Sequence, residues 1–243
     1  MIEIINLHKS FGEKEVLRGV NLQISEGETL GIIGRSGCGK SVLLKHIVGL
    51  LDPDSGKVII EGQDITTLGE TELFKIRTKF GFLFQGAALF DSLNVEENVS
   101  LPLIENDYGF SPAEIQKKVE ENLELVGLPG IQTVKPSELS GGMKKRVGLA
   151  RALITNPKYI LYDEPTTGLD PVMSDSIDDL INDLAEKLNV TSIVVTHDMQ
   201  SVKNIIDRVA MIHEGQVHFT GTPQELMSSN DSIIKGFISR TGN

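Results

Sequence analysis

The sequence predicts an α/β fold in which a parallel sheet is covered by helices, with an antiparallel β lobe formed from its first sixty residues. Two patterns carry this prediction. Five short runs are apolar on both faces and separated by helical patterns: TLGII at 29–33, FGFLF at 80–84, YILY at 159–162, SIVVT at 192–196 and VAMI at 209–212. A strand with no polar face has no side to show to water, so it belongs inside a covered parallel sheet. The runs IEIINL at 2–7, VNLQI at 20–24 and KVIIEG at 57–62 are instead punctuated by glycine and polar turns, as in an antiparallel lobe.

The helices follow from spacing and caps. Ser111 and Glu114 form a capping box around Pro112, ahead of Ile115, Val119, Leu123 and Val126 on one face. Residues 174–189 place Ile177, Leu180, Ile181, Leu184 and Leu188 inward, while Asp175, Asp179, Asp183 and Glu186 read as a solvated face. Met143, Val147, Ala150 and Ile154 make a further stripe. After Pro223, Ile233, Ile234, Phe237 and Ile238 recur at helical spacing and could pack on their own domain or on a neighbour, self-packing being the simpler expectation. No internal repeat, heptad array or low-complexity linker interrupts the chain.

Composition narrows the function classes. At 243 residues and 40% hydrophobic, the chain can close a large core, as one large domain or two small ones. Twenty-three Lys and Arg against 34 Asp and Glu give a net charge of −11, which argues against broad nucleic-acid binding. No apolar run approaches the roughly 18 residues that span a bilayer, and the N-terminus lacks the basic and apolar segments of a signal peptide, so a cytosolic chain is expected. One cysteine excludes an internal disulfide and a cysteine-rich metal site.

Chemistry concentrates first in GRSGCGKS, which joins the strand TLGII to a helical pattern carrying Leu43, Leu44, Ile47 and Val48. This is the setting of a phosphate-binding loop. Gly34, Gly37 and Gly39 free the backbone so that successive amides, those of Arg35, Ser36 and Cys38 among them, can face phosphate oxygens at a helix N-terminus. Lys40 would neutralise the β and γ phosphates, and Ser41 would ligate magnesium. Cys38 is either a small loop residue or a thiol whose pKa the helix N-terminus lowers. A second motif, YILYDE at 159–164, ends an apolar strand on adjacent carboxylates: Asp163 would reach the magnesium shell and Glu164 would hold and polarise a water. A third, LSGGM at 139–143, puts Ser140, Gly141 and Gly142 at another helix N-terminus, a second anion site about a hundred residues from the first.

With these motifs in order, the chain resembles the ATP-binding cassette (ABC) ATPases over essentially its whole length, through GRSGCGKS, Gln85, LSGG, YILYDE, TGLD and the THD that contains His197. The resemblance implies a P-loop NTPase with a RecA-like parallel core, an antiparallel β lobe and an inserted helical lobe. One cassette would span 1–243, with a core and β lobe at 1–85 and 157–221, a helical lobe at 86–156 and a tail at 222–243. It implies that two copies sandwich two MgATP head to tail, with Ser140, Gly141 and Gly142 on the γ-phosphate bound by the other copy. It further implies that Phe11 stacks on adenine where Tyr is commoner, that Gln85 touches magnesium and the lytic water, that Asp170 communicates across the dimer and that His197 contacts the γ-phosphate. Thr167 and Gly168 stand where Ser and Ala are commoner. Fused double cassettes and coiled-coil chromosome-maintenance cassettes do not fit a chain of this length and layout.

Within the family, LLKHIVGLLDPDSG, FQGAALFDSLNVEENV and Met143 after LSGG are similar to the ATPases of Mla and Mce lipid-trafficking systems. That likeness implies a peripheral protein on the cytoplasmic face of the inner membrane, working with an integral permease and an MCE-domain lipid-binding partner. The permease helix would dock in a groove along 86–103, where Leu89, Phe90, Leu93 and Val95 could equally be lobe core. An amino-acid, metal-ion or lipoprotein transporter ATPase and a non-transport nucleotide switch are the alternatives.

Overall fold

The computed structural model describes residues 1–106 and 108–241, organised around two sheets. The first is the antiparallel lobe: β1 (Ile2–Phe11), β2 (Lys14–Ile24), β4 (Ser55–Ile60) and β5 (Gln63–Asp64), in the order β2-β1-β4-β5. Ile2 lies opposite both Ile24 and Ile60, so the apolar alternation of three strands falls on one face. The second sheet has the order β10-β9-β3-β8-β7-β6, from β3 (Thr29–Ile33), β6 (Phe80–Leu83), β7 (Tyr159–Asp163), β8 (Thr191–Val195), β9 (Arg208–His213) and β10 (Gln216–Gly221). The β9-β3-β8-β7-β6 pairings are parallel, and every residue of β3 and β8 is buried, as their almost wholly apolar runs require.

The edge strand β10 is absent from the sequence expectation. It pairs antiparallel with β9 through a two-residue turn in which Glu214 and Gly215 take φ values of 48° and 79°. That turn chemistry was the available hairpin signal, since Val217 and Phe219 alternate with polar residues on a strand at the sheet's rim.

Helices α1 (Lys40–Ile47), α2 (Glu70–Arg77), α3 (Val95–Glu105), α4 (Pro112–Leu125), α5 (Gly141–Leu153), α6 (Pro171–Leu188), α7 (Met199–Ile205), α8 (Pro223–Ser228) and α9 (Ser232–Thr241) complete the fold. The capping box of α4 forms as expected, with the Ser111 amide donating to Glu114 Oε2 at 2.7 Å. One core lies beneath α3 to α7 against the parallel sheet, and a second fills the space between the β lobe and α1. Helix α9 folds back on the first core, where Ile234 and Phe237 are buried, in line with self-packing.

Helix α6 corrects two expectations. It begins at Pro171 rather than 174, because Asp170 accepts a cap bond from the Met173 amide at 3.0 Å and proline suits the first helical position. Leu188 is not inward: it is 41% exposed, since the chain turns at Asn189, in left-handed geometry at φ 49°, and no further helical turn covers it.

The same helix holds an acid that the polar pattern conceals. Asp178 is 1% exposed, and its Oδ1 has no hydrogen-bond partner among the described residues. Burial, reinforced by the charges of Asp198 and Asp175, pushes its carboxyl up to about 6, although Ser201 and Asn204 oppose the shift. The folded chain therefore holds this proton to higher pH than the unfolded chain does. Stability falls as pH rises from about 4 to about 6, and the full cost, on the order of 2–3 kcal/mol, persists above that window. Asp178→Asn is expected to raise Tm by about 5 °C at pH 8 and by much less at pH 4. A lower Tm at pH 8 would show that the carboxylate is satisfied there.

Candidate active site

Four motifs leave the carboxyl ends of adjacent parallel strands: Gly34–Ser41 after β3, Gln85 beyond β6, Asp163 and Glu164 at β7, and His197 beyond β8. A parallel sheet puts all these ends along one edge, where α/β proteins bind ligands. They converge on a cavity of about 810 Å³ lined by Gly34, Arg35, Ser36, Gly37, Gly39, Lys40, Ser41, Gln85, Asp163, Glu164 and His197, with Phe11, Lys14 and Val16 from the β lobe. Phe11 is 49% exposed there, leaving its ring available for stacking.

The loop glycines are required for two different reasons. A Cβ on Gly34 (φ 149°) would lie 2.4 Å from the Ile212 carbonyl oxygen, and one on Gly39 (φ 108°) 2.9 Å from Leu17. Gly37 (φ 76°) has nothing near it, so only its dihedral demands glycine. Lys40 is 9% exposed, and its ammonium donates to the Gly34 and Arg35 carbonyls at 2.8 and 3.2 Å, which holds a positive charge beneath the loop. Cys38 corrects the lowered-pKa alternative: burial pushes its thiol up and outweighs the nearby Lys40 charge. It is a small packing residue of the loop.

Glu164 is the most constrained residue of the site. Its φ is 52°, left-handed for a side chain that rarely adopts it, at a cost on the order of 1–3 kcal/mol that the surroundings must overcome. Its amide donates to the Val195 carbonyl at 2.8 Å. Its carbonyl accepts from the Lys145 ammonium at 3.1 Å. Its carboxylate Oε2 accepts from Thr167 Oγ1 at 3.0 Å and lies 2.7 Å from His197 Nδ1. The neighbouring Asp163 carboxyl is raised by burial and by the Glu164 charge, against the pull of Lys40. Two adjacent acids, a serine hydroxyl and the Gln85 amide in one cavity form an oxygen-rich set suited to Mg²⁺ shared with phosphates. No cluster of three or more His, Cys, Asp or Glu among the described residues could hold a metal without a ligand's help.

Ser140, Gly141, Gly142 and Asp170 do not line this cavity. Ser140 caps α5, with its Oγ 3.3 Å from the Met143 amide, and Asp170 caps α6. The two caps pack together: a Cβ on Gly141 would lie 3.2 Å from Leu169 Cδ2, and one on Gly142 2.1 Å from Met173 Cε. The LSGG helix start and the start of α6 thus pack against each other, and neither lines the cavity that holds the chain's own phosphate loop.

The sequence reading missed two contributors to the site. Phe237 of α9, read only as part of a packing stripe, lines the cavity. Lys145, which has no role in the sequence reading, is 5% exposed and reaches both Gln85 and Glu164. Nothing local signals either contact, because 60 residues separate Lys145 from Gln85.

A second cavity, of about 500 Å³, opens beside the segment after Gln85. Val95 is buried, Leu89 and Leu93 are half-buried, and Phe90 is exposed on its rim with Phe74, Phe84 and Tyr108. The run 86–103 therefore supplies both lobe core and open aromatic surface.

A phosphate loop at a strand–helix junction, adjacent carboxylates on a neighbouring strand and a separate LSGG helix define a nucleotide-hydrolysing α/β cassette. The chain belongs to the ABC transporter family, whose sequence profile matches residues 17–167. It is 41% identical over 237 residues to the probable ribonucleotide transport ATP-binding protein mkl of Mycobacterium leprae, covering 98% of this chain and 68% of that protein. The chloroplastic protein TRIGALACTOSYLDIACYLGLYCEROL 3 of Arabidopsis thaliana is 42% identical over 254 residues, 98% of this chain and 73% of that one. A dimeric ATP-binding cassette in a post-hydrolysis state, bound to ADP and Pi, superposes with a TM-score of 0.83 at 38% identity, covering 92% of this chain and 99% of that chain. The protein is an ATP hydrolase of the ABC transporter type and binds ATP with Mg²⁺. None of its described helices is long and apolar enough to cross a membrane.

Proposed function

We propose that this chain dimerises around two MgATP and drives an integral permease in phospholipid or other lipid trafficking, peripheral to the cytoplasmic face of the membrane, with an MCE-domain lipid-binding partner. The observation that carries the dimer is the division of the motifs: the chain's own cavity gathers Lys40, Gln85, Asp163, Glu164 and His197, while Ser140, Gly141 and Gly142 do not line it. A second copy supplies the missing donors, and Asp170, packed beside the LSGG helix, carries the contact across the dimer.

In this reading the amides of Gly34–Ser41 and the Lys40 ammonium hold the β and γ phosphates at the N-terminus of α1. Phe11 stacks on the adenine. Ser41, Asp163 and Gln85 hold Mg²⁺, which neutralises phosphate charge when bound. Glu164 orients the attacking water and accepts its proton, and His197, hydrogen-bonded to Glu164, reaches the γ-phosphate. Such transfer depends on positioning and charge rather than on a covalent intermediate. The open aromatic rim of Phe74, Phe84, Phe90 and Tyr108 is where the permease helix docks, since clustered exposed apolar groups mark interaction sites.

Lipid as cargo is supported by LLKHIVGLLDPDSG, FQGAALFDSLNVEENV and Met143, and by the glycolipid in the Arabidopsis relative's name. The mycobacterial relative's name carries a ribonucleotide instead. The test is purification of the Glu164→Gln variant from native membranes with ATP, followed by mass spectrometry of copurifying proteins and lipids. A multispan permease, an MCE-domain protein and enriched phospholipid are expected. A permease for amino acids, metal ions, nucleotides or lipoproteins would overturn the cargo, and recovery without any membrane partner would overturn transport itself.

A further inference from the structure

We propose that Lys145 is a positioning residue for hydrolysis, whose ammonium fastens the backbone at Gln85 and the backbone at Glu164 to α5, so that the LSGG helix sets the aim of both side chains. This rests on the roles given above to Gln85 and Glu164, and it adds a residue that those roles do not require.

The geometry is specific. Lys145 lies one turn inside α5, five residues beyond Ser140, and is almost wholly buried. Its Nζ donates to the Gln85 carbonyl and, at 3.1 Å, to the Glu164 carbonyl. A buried ammonium loses its hydration, and here desolvation pulls the Lys145 pKa down while the Glu164 and Asp163 charges oppose the shift. Both of its acceptors sit at irregular backbone. Glu164 has a left-handed φ, and Gln85 leads into Ala87 and Ala88, at φ 60° and 46°, which L residues seldom adopt. Farther along α5, Arg151 donates to the carbonyls of those two alanines at 2.7 and 2.8 Å. Helix α5 thus grips the segment after Gln85 at two points and the Glu164 turn at one. In the assembled dimer its N-terminus faces the partner's nucleotide, so a shift of α5 on engaging that nucleotide would pull both water-positioning side chains of its own site.

The test compares Lys145→Met, which keeps length and volume but donates nothing, with Lys145→Gln, which restores a neutral donor. Lys145→Met is expected to lower kcat about tenfold or more while changing the affinity for a fluorescent ATP analogue less than twofold, and Lys145→Gln to recover much of the loss. In the nucleotide-free protein, amide hydrogen exchange at Glu164 and Thr167 should speed up in Lys145→Met and return toward wild type in Lys145→Gln. A Lys145→Met protein with wild-type kcat and exchange would overturn the proposal. So would equal losses in kcat and affinity in both variants, which mark a merely structural residue. Glu164→Gln is assayed in parallel: if it hydrolyses ATP normally, the reading of the site has failed, whereas an inactive Glu164→Gln beside a fully active Lys145→Met sinks only the role of Lys145.

Discussion

Replacing Glu164 by glutamine is expected to lower ATP turnover by roughly two to four decades while nucleotide binding persists, the span of general-base effects. The substitution is close to isosteric, and the carboxylate's partners survive it. A glutamine Oε1 can still accept from Thr167 Oγ1 and meet His197 Nδ1, now 3.0 and 2.7 Å away. The backbone bonds that hold φ at 52°, to Val195 and from Lys145, do not involve the side chain. What disappears is the negative charge and the capacity to take a proton from water. Phosphate release reads the loss of turnover, and titration with a fluorescent ATP analogue reads retained binding. Wild-type hydrolysis by the variant would remove Glu164 from the mechanism.

Gly34→Ala should abolish useful nucleotide binding, with affinity down about a hundredfold or more and stability down on the order of 3 kcal/mol, from overpacking and a disfavoured dihedral together. An added methyl carbon would fall 2.4 Å from the Ile212 carbonyl oxygen and 2.7 Å from Cys38 Sγ, at a φ of 149° that L residues avoid. The carbonyl belongs to β9, held between β10 and β3 in the sheet, so the loop must move instead. The Gly34 carbonyl also receives the Lys40 ammonium at 2.8 Å, and displacing it moves the charge proposed to hold the phosphates. Gly37→Ala is the control. It has the same composition change and a positive φ of 76°, but no atom within 4 Å of the new carbon, and should cost about 1–2 kcal/mol with a modest loss of affinity. Equal effects at the two glycines would mean that dihedral strain alone decides the loop, not the packing against β9.

Much of the fold was legible because its signals are local. The apolar runs found all five parallel strands to within a residue or two, and Ser111 with Glu114 announced the start of α4. The cavity's motifs were legible for the same reason: each is a short segment whose chemistry depends on immediate neighbours and on a strand end. Features set by distant contacts escaped. β10 is stabilised by pairing at the rim rather than by an apolar run, and Leu188 faces inward only if chain follows to cover it. Asp178 looks like its exposed neighbours Asp175 and Asp179 until α7 packs over it. Lys145 and Phe237 join the site only through tertiary contacts, and Cys38 shows why a motif does not fix a pKa: the helix N-terminus that favours a thiolate also buries it.

In the proposed mechanism ATP completes the hydrolytic site by joining two chains. Each chain carries −11, so nucleotide-free copies repel, although physiological salt screens charges beyond roughly 8 Å. Sedimentation velocity of the Glu164→Gln variant tests this most directly. A monomer is expected without nucleotide, a dimer with MgATP and a return to monomer when ADP replaces ATP. A variant saturated with MgATP that still sediments as a monomer would contradict it.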